Sequence, residues 1–571
     1  MEIVSNNNIN LFDIENSILK SRGIKDIQEF ISPTGKYIES YYSFGTMKNA
    51  IDLFNYHRFQ NHKMMILVDC DVDGYTSGAI MYTFCKDFNC RVSYILHEDK
   101  SHGLDNKTMK FVIEEQPQLL IVPDAGSNDI SQIKELLSNK IDVLILDHHE
   151  IENKEDFCPL ISIDSNKCII VNNQIEKKIK DKSMTGVGIV YKFLKAMEDY
   201  MYYNIYSVDS FLDLVAIGMI GDVCDLTDLQ SRYYVYKGLT HIKTNFDINP
   251  FIKILCDKQS SKMNNQITIN GIAFYVVPLI ASVIRFGTME QKNTLFMALS
   301  REGYNSDIAL KDCLSCKKYQ DELSAKSLEL LDTQIEKYHL NDKPIIVCNA
   351  KEINSNATGL VASKVATKYK KPCLLLRKNS ENILFGSGRN CRNGFTNNFL
   401  SFLKNTDSKL KCFTTLLGHE NAFGVGINYL KIQDFFKYIL QLNLPEPKIL
   451  VDNDFNILDY DIIKRVADME YLWGCGISEP VFSLSNYYIC NNDIQIIGKK
   501  SNTLNITYKE QFCDQNIKMI WFNVPQGTID KLIHNNLTKC NIVFKCKKNL
   551  FKGKQNYQII IDELEILEEN N

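Results

Sequence analysis

Acidic and histidine side chains recur at four places in the first half of the 571-residue chain. Three of these places follow apolar runs that predict buried strands: KMMILVD at 63–69, PQLLIVPD at 117–124 and IDVLILD at 141–147. The fourth, IGDVCD, closes an apolar stretch at 208–221 that predicts a helix. The residues that could do chemistry are Asp69, Asp71 and Asp73, Asp124, Asp147 with His148 and His149, and Asp222.

Ligands in open α/β sheets bind at the carboxyl ends of the strands. The first three clusters therefore share one crevice if their strands are neighbours. Five or more carboxylates repel one another strongly in such a crevice, and divalent cations relieve that repulsion. A mixed carboxylate and imidazole shell favours Mn²⁺, whereas Mg²⁺ prefers oxygen ligands and water. Two ions about 3.5–4 Å apart would bind the attacking and leaving oxygens of a phosphoryl group.

Other chemistries find less support in the residues. DCDVDG begins like an EF-hand loop, but its twelfth position is Ile80 instead of glutamate. There is no GxxxxGK[ST] loop for a nucleoside triphosphate and no Ser–His or Cys–His arrangement for a nucleophile. A lone aspartate after a strand is usually a turn or cap residue, and Asp164, Asp225 and Asp228 are given that role.

Composition restricts the class of protein. The chain is 45% hydrophobic and 23% charged with a net charge of −4, which is ordinary for a globular protein and gives no sign of nucleic-acid binding. The N-terminus lacks the pattern of a signal peptide, and the longest apolar run, Ile272–Ile284, is shorter than the roughly 18 residues of a membrane span. Cys313 and Cys316 form a CxxC without the second pair of a zinc knuckle. We therefore expect a cytoplasmic monomer with reduced thiols and no membrane partner.

The pattern of apolar residues divides the chain into four regions. Residues 1–255 predict an α/β catalytic domain on a parallel sheet, with further strands at 90–96 and 160–164 and a helix at 183–200. Residues 256–342 predict a helical connector that ends in one long helix. A second α/β unit is expected at 343–447, and short, closely spaced strands at 448–571 predict a small β-barrel.

With these residues in place, the chain resembles the DHH phosphoesterase superfamily, and within it the RecJ-type single-strand exonucleases. The four motifs that carry the resemblance are DCDVDGYTS, LLIVPDAGS, LILDHHE and DLVAIGMIGDVCDL. The resemblance implies two cations, Mn²⁺ in preference or Mg²⁺, and it implies catalysis by the DHH triplet, in which His149 orients the metal shell or the scissile phosphate. Asp73 is expected only to fix the turn in DCDVDG. The implied ligands are Asp69, Asp71, Asp124, Asp147, His148 and Asp222.

The second α/β unit resembles the substrate-binding domain of the same family, through GLVASKVATKYKKP, GSGRNCRNGF and GHENAFGVG. Glycines in such a segment would let the backbone approach a phosphate, which an arginine can bind bidentately. The implied substrate-binding residues are Ser363, Gly386, Ser387, Gly388, Arg389 and His419.

The C-terminal region resembles the OB-type domain of the family. Between Lys499 and Lys554 there are eleven lysines and three acidic residues, with aromatic residues between them. A basic groove with aromatic platforms binds single strands without reading their sequence. The aromatic residues, several of which must form the barrel core, are Tyr508, Phe512, Trp521, Phe522, Phe544, Phe551 and Tyr557.

The resemblance implies a 5′→3′ exonuclease that degrades single-stranded DNA to mononucleotides in recombination, repair or replication, with a helicase or a single-strand-binding protein as partner. The chain departs from the family at Leu417, which replaces the first glycine of a GGH motif, at NSNAT before GLVASK, and in the connector run Pro278–Ala281. One alternative is a DHH enzyme for oligoribonucleotides or small nucleotides. Another is a non-catalytic DNA-binding replication factor.

Overall fold

The structure is a computed structural model that describes most of the chain. The residues outside the description are 1, 6–8, 152–165, 202–206, 245–246, 302–305, 380–381, 393, 443, 446–447, 499–500, 510–515, 552 and 568–571, together with the side chain of Phe551. The strand predicted at 160–164 lies among them.

The first α/β unit is built on a five-stranded parallel sheet. The strands up to residue 172 are β1 (Glu2–Ser5), β2 (Met64–Val68), β3 (Val92–Leu96), β4 (Leu119–Pro123), β5 (Asp142–Asp147) and β6 (Cys168–Asn172). The helices up to residue 244 are α1 (Ile14–Ser21), α2 (Ile27–Ile31), α3 (Met47–Phe59), α4 (Val72–Asp87), α5 (Asn106–Glu115), α6 (Ile130–Ser138), α7 (Gly186–Met201), α8 (Leu212–Gly221) and α9 (Leu229–Thr244). The sheet order is β3-β2-β4-β5-β6.

The predicted parallel sheet is confirmed, and so are its first four strands. Every residue of β2, β4 and β6 is buried, as expected for strands covered by helices on both faces. Strand β6 was not predicted. Its apolar run, CIIVN, is only five residues long, and neighbouring cysteine and asparagine residues weaken the strand signal.

The connector is helical, as predicted. Its elements are α10 (Pro250–Gln259), α11 (Ile269–Gly271), a π-helix (Ile272–Val276), α12 (Val277–Phe286), α13 (Met289–Leu299) and α14 (Ser306–Lys337). The long connecting helix is α14, with 32 residues. Within the described residues one helical run, Ile269–Phe286, is long and apolar enough to cross a membrane, and half of it is buried inside the protein. Core helices pass the same test, so this run is weak evidence for a span.

The second α/β unit is confirmed, with a five-stranded sheet in the order β10-β11-β9-β8-β7. Its glycine-rich segments are strands of that sheet, although glycine favours turns. The elements are β7 (Ile346–Asn349), α15 (Thr358–Tyr369), β8 (Cys373–Lys378), β9 (Ile383–Arg389), α16 (Phe399–Leu410), β10 (Phe413–His419), β11 (Ala422–Asn428) and α17 (Ile432–Gln441).

The C-terminal region forms a seven-stranded sheet in the order β13-β14-β18-β19-β17-β16-β15. Its elements, with the strand that leads into it, are β12 (Lys448–Val451), β13 (Asn453–Phe455), α18 (Tyr460–Asp468), β14 (Phe482–Cys490), β15 (Ile494–Ile497), β16 (Thr503–Lys509), β17 (Asn516–Trp521), α19 (Gln526–His534), β18 (Leu537–Phe551) and β19 (Lys554–Ile566).

The N-terminal segment packs on this C-terminal sheet. Strand β1 pairs in parallel with β12, and the buried side chains of α1 belong to the same apolar core as the barrel strands. Arg22 makes two hydrogen bonds to the Asp452 carboxylate, at 2.5 and 2.8 Å. Deleting residues 448–571 would therefore expose the apolar face of α1, near the N-terminus. The predicted boundaries at 255, 342 and 447 stay predictions.

Candidate metal centre and strand-binding surface

The carboxyl ends of β2, β4 and β5 lie side by side, because β4 pairs in parallel with both other strands. The loops that follow these strands bring Asp69, Asp124 and the DHH triplet to one edge of the sheet. Asp222 reaches the same place from the C-terminal end of α8. The predicted single crevice is confirmed.

The first of three candidate ligand groups contains Asp69, Asp71 and His102, each with one atom within 4.8 Å of the others. Asp71 caps α4 by accepting a hydrogen bond from the Gly74 amide at 2.9 Å. His102 Nδ1 lies 2.6 Å from Asp69 Oδ2, and this hydrogen bond raises the pKa of His102. His102 was not among the predicted site residues. The available signal was a histidine beside a glycine in the loop after β3, the neighbour of β2.

The other two groups are built around His148. Its Nε2 atom lies 3.2 Å from Asp124 Oδ1, 3.6 Å from Asp222 Oδ2 and 4.0 Å from Asp73 Oδ2. One group consists of Asp124, His148 and His149. The other consists of Asp73, His148 and Asp222. Burial, with a contribution from the nearby charge on His149, lowers the pKa of His148 to about 4. A neutral imidazole is the form that binds a metal ion.

Asp73 has a larger role than the turn to which the sequence analysis assigned it. Its carboxylate accepts hydrogen bonds from the Thr185 hydroxyl at 3.0 Å, the Gly186 amide at 2.7 Å and the Val187 amide at 3.1 Å. These amides belong to the first turn of α7, where an anionic side chain is stabilised by the free N–H groups and the helix dipole. Asp73 therefore fixes α7 against the metal centre.

The electrostatics of these carboxylates fit divalent cations. Burial, followed by repulsion from neighbouring carboxylates, raises the pKa of Asp71, Asp124 and Asp222. Asp124 Oδ1 is buried and makes no hydrogen bond among the described residues, although His148 Nε2 lies 3.2 Å away. A buried carboxylate oxygen without a donor is costly, and a bound cation would remove that cost. The residues present therefore fit the implied metal.

Asp147 differs from the other predicted ligands because its oxygens already accept hydrogen bonds. Oδ2 accepts from the Ser127 amide at 3.0 Å, and Oδ1 accepts from the His148 amide at 2.7 Å and lies 2.8 Å from His149 Nδ1. Although burial alone would raise it, the pKa of Asp147 is held below its usual range by His149. Asp147 is in none of the three ligand groups, and its role as a ligand stays a prediction.

His149 is held by this hydrogen bond at the mouth of the site, with 54% of its side chain exposed. Burial acts to lower its pKa, but the hydrogen bond and the charge of Asp147 outweigh burial and raise the pKa to about 9. The fixed imidazole therefore carries a positive charge at neutral pH and can donate a hydrogen bond through Nε2.

The close approach of α7 to the strand ends depends on glycine. A Cβ atom on Gly186 would lie 2.6 Å from the Asp124 carboxyl carbon, and one on Gly74 would lie 2.7 Å from the Asp69 Cβ atom and carbonyl oxygen. Both distances are well inside van der Waals contact. The TGVG and DVDG segments are therefore the sequence mark of two backbones packed directly on metal-site carboxylates.

The second α/β unit contributes a cationic pocket beside the metal centre. A Cβ atom on Gly359 would lie 3.3 Å from Arg389 Cζ and 3.7 Å from Ser387 Oγ, so these two side chains converge on the start of α15. Ser363, one turn along α15, donates to the Gly359 carbonyl at 3.1 Å. His419 lies close enough to contribute to the lowered pKa of His148.

Two further cations lie at this pocket, and the sequence analysis assigned a role to neither. Desolvation and then the charges of Arg285 and Arg389 lower the pKa of Lys100. The Asn356 side chain, from the NSNAT departure, donates to the Arg285 carbonyl at 2.8 Å and so ties the second unit to the connector. The two α/β units thus share one positively charged pocket.

Gly386 and Gly388 are needed for the packing of β9 against its neighbours, whereas the prediction was that they let the backbone approach a phosphate. A Cβ atom on Gly386 would overlap the Leu375 carbonyl oxygen of β8, and one on Gly388 would lie 2.6 Å from the Phe423 ring. The glycines let β9 pack between its neighbours and place Arg389 at the end of the strand. Their contact with a phosphate stays a prediction.

The C-terminal sheet offers less basic surface than the lysine count suggests. Four of the eleven lysines form ion pairs with carboxylates outside the counted window: Lys509 with Asp493, Lys545 with Asp562, Lys547 with Glu479 and Lys548 with Asp468.

The aromatic residues of this sheet are largely core, as expected. Tyr508 and Phe544 are buried, Trp521 and Tyr557 pack on the core, and Phe522 is 54% exposed. Phe512 and the side chain of Phe551 lie outside the described residues.

Comparison with known proteins places the chain in a family. Two family models match: the DHH family, N-terminal domain, over residues 63–219, and the RecJ OB domain, over residues 452–563. A putative SPbeta prophage-derived single-strand DNA-specific exonuclease of Bacillus subtilis (strain 168) is 30% identical, over 99% of this chain and 98% of that protein. The single-stranded-DNA-specific exonuclease RecJ of Haemophilus influenzae is 22% identical, over 100% of this chain and 99% of its own length.

A solved structure shares the fold. The crystal structure of RecJ in complex with Mn²⁺ from Thermus thermophilus matches 97% of this chain and 76% of that chain, with a TM-score of 0.73 and 17% identity. The likeness includes the predicted parallel-sheet domain, connector, second α/β domain and OB-like barrel. The chain belongs to the RecJ-type single-strand exonuclease family of DHH phosphoesterases.

Proposed function

We propose that the protein is a 5′→3′ exonuclease that degrades single-stranded DNA to mononucleotides by hydrolysis with two divalent cations. The observation that carries the proposal is the convergence of five carboxylates at one edge of the sheet, in ligand groups that contain histidines but no lysine or arginine. The carboxylates are those of Asp69, Asp71, Asp73, Asp124 and Asp222. Mn²⁺ is the preferred ion and Mg²⁺ the second choice, because the shell mixes carboxylate with imidazole. One ligand group contains Asp69, Asp71 and His102, and the other two share His148, a division that two ions would fit.

The residues of the chain have separate roles in this hydrolysis. When bound, the cations polarise the phosphoryl oxygens and lower the pKa of a water molecule. Asp147 holds His149 at Nδ1, so that the imidazole presents a donor to the scissile phosphate. Asp73 holds α7 in place through three hydrogen bonds. The side chains of Asp69, Asp73, Asp124 and Asp147 are buried, which keeps bulk water from these carboxylates.

The metal site can be tested by calorimetric titration with MnCl₂. The pKa values of Asp71, Asp124 and Asp222 are raised, so these groups retain protons to higher pH than an ordinary carboxyl. Manganese must displace those protons, and the affinity should therefore fall as the pH is lowered, with protons released on binding. We expect two ions per chain. Absence of uptake would indicate the non-catalytic DNA-binding alternative, and pH-independent uptake would contradict the raised pKa values.

Arg389 is placed to bind the phosphate at the end of the strand. Arg389→Ala should raise KM for 5′-phosphorylated single strands by about tenfold with little change in kcat, because it removes a charge-assisted contact away from the reacting atoms. Steady-state kinetics with 5′-phosphate and 5′-hydroxyl oligonucleotides would measure this. The difference between the two substrates should shrink in the variant.

Arg392→Ala is the matched control, since Arg392 lies three residues further along and points to Asp562 of the C-terminal sheet at 3.6 Å. A loss confined to kcat in Arg389→Ala would count against a role in binding the strand end.

The partners beyond single-stranded DNA are part of the proposal. A helicase or a single-strand-binding protein would supply the single strand. The chain is proposed to act as a monomer in the cytoplasm. The sixteen described cysteines are free thiols, which supports a reducing compartment.

A further inference from the structure

The connector presents an aromatic ring to solvent near the metal centre. Phe274 is 69% exposed and Tyr275, next to it, is 38% exposed. Single exposed apolar residues are common on protein surfaces and need no explanation. This ring, however, lies in the π-helix Ile272–Val276, and isolated π-turns occur frequently at functional sites.

Contacts along the helical run Ile269–Phe286 show where it lies. Near its start, Ile269 Cγ2 is 2.7 Å from the position of a Cβ atom on Gly474, in the segment that leads into the C-terminal sheet. In the middle of the run, Val277 Cγ1 is 3.8 Å from the position that a Cβ atom on Gly221 would take. Gly221 is the residue before Asp222. At its end, Arg285 joins the cationic pocket. The run therefore passes from the segment that leads into the C-terminal sheet, beside the residue that precedes Asp222, to the cationic pocket.

One face of this run is less buried than the other. Residues spaced three or four apart lie on the same face of a helix. Phe274 is exposed, and Pro278, Ala281 and Arg285 are half-buried at that spacing. The residues on the other face are buried: Ile272, Val276, Leu279, Ile280, Val283 and Ile284. A partly exposed stripe thus connects the cationic pocket to the aromatic ring.

We propose that Phe274, with Tyr275 beside it, is a stacking platform for the bases of single-stranded DNA on the 3′ side of the bond that is cut. Eleven residues separate Phe274 from Arg285, which at 1.5 Å per residue is about 16 Å, or roughly two to three nucleotides of an extended strand. Base–aromatic stacking is independent of sequence, as an exonuclease requires. Among the described residues, few aromatic side chains of the C-terminal sheet are exposed enough to stack on a base. The inference rests on the proposed function.

The length of the substrate tests the proposal. Phe274→Ala should lower kcat/KM for a 5′-phosphorylated 20-mer by about tenfold, mainly through KM, because one stacking contact is lost. A 5′-phosphorylated dinucleotide is too short to reach the ring and should be cut equally well by both proteins. Phe274→Trp should retain the wild-type rate on the 20-mer. Phe59→Ala, at a ring that is 68% exposed on α3, is the control and should change neither substrate.

A binding measurement gives an independent test. Oligonucleotides with 2-aminopurine at successive positions from the 5′ end would be mixed with protein in EDTA, so that no cleavage occurs. Fluorescence quenching should be strongest at the third or fourth position and should be lost in Phe274→Ala only.

Several results would overturn the platform. These are an equal loss on the dinucleotide and the 20-mer, an unchanged rate on the 20-mer, and a quenching profile that does not depend on Phe274. A protein or lipid surface as the true partner of the ring would produce the second and third of these results. Wild-type protein that cuts neither substrate would refute the proposed function, whereas the quenching profile would still test the platform.

Discussion

Asp124→Asn should lower kcat on single-stranded DNA by about a thousandfold, a loss of roughly 4 kcal/mol of transition-state stabilisation. The substitution keeps the size of the side chain but removes the charge of the carboxylate that has a buried oxygen without a hydrogen-bond donor. Strand binding in EDTA should stay within about twofold, because Arg389 and the connector face are untouched. Single-turnover cleavage and fluorescence anisotropy would separate the two quantities.

Asp225→Asn provides the control for Asp124→Asn. Asp225 is an aspartate near the site that accepts hydrogen bonds from the Thr227 amide at 2.9 Å and the Thr227 hydroxyl at 2.8 Å, as expected of the turn residue predicted from sequence. Its substitution should leave kcat nearly unchanged. Equal losses in both variants would mean that any charge change near the crevice impairs the enzyme, and the assignment of Asp124 would fail.

Gly186→Ala should abolish cleavage, with a loss of at least about a hundredfold, although alanine is the better helix former. The added methyl group would lie 2.6 Å from the Asp124 carboxyl carbon, so either α7 or the carboxylate must move. A displacement of about 1 Å in a catalytic group can cost a hundredfold in rate. Manganese affinity, measured by calorimetry, should fall together with kcat.

Gly527→Ala is the matched comparison for Gly186→Ala. Gly527 also lies in the first turn of a helix, α19, but a Cβ atom there would have no atom within 4 Å. This variant should keep full activity and gain about 0.5–1 kcal/mol in the free energy of unfolding. Full activity in Gly186→Ala, with unchanged manganese affinity, would show that the close packing of α7 on Asp124 is not needed.

The candidate metal centre could largely be predicted because its carboxylates follow from local patterns. Three apolar strands each end in an aspartate, and the parallel order of β2, β4 and β5 makes their ends adjacent. His102, Lys100 and the larger role of Asp73 could not be predicted in this way. Each depends on the path of a loop or on the contact of one helix with another, which single-sequence periodicity does not encode.

In the second α/β unit and the C-terminal region, prediction from sequence failed for a different reason. Glycine-rich stretches normally indicate turns, yet Gly386 and Gly388 lie inside a strand because the neighbouring backbone and ring leave no space for a side chain. The lysine count between 499 and 554 ignored Asp468, Glu479 and Asp562, which are outside the window but adjacent in space. Lys545 and Asp562 are paired by the register of β18 and β19, and Asp468 and Glu479 approach through the tertiary fold; neither effect could be predicted from local sequence.

The N-terminal segment is the clearest case of a contact that the sequence conceals. Its helix α1 is amphipathic, but the partner of its apolar face lies more than four hundred residues away in the C-terminal sheet. The catalytic unit and the barrel are thereby joined at both ends of the chain. A point substitution such as Phe274→Ala is therefore a sounder test of strand binding than removal of the C-terminal region.

The central claim is that one metal centre removes nucleotides from the 5′ end of a single strand. The direct measurement follows a single-stranded 20-mer, labelled at either the 5′ or the 3′ end, with Mn²⁺ and with Asp124→Asn in parallel. The 5′ label should appear at once as a mononucleotide, while the 3′ label should pass through a ladder of shortening strands, and the variant should leave both intact. Immediate release of the 3′ label as a mononucleotide, internal fragments from either substrate, or undiminished cleavage by the variant would contradict the claim.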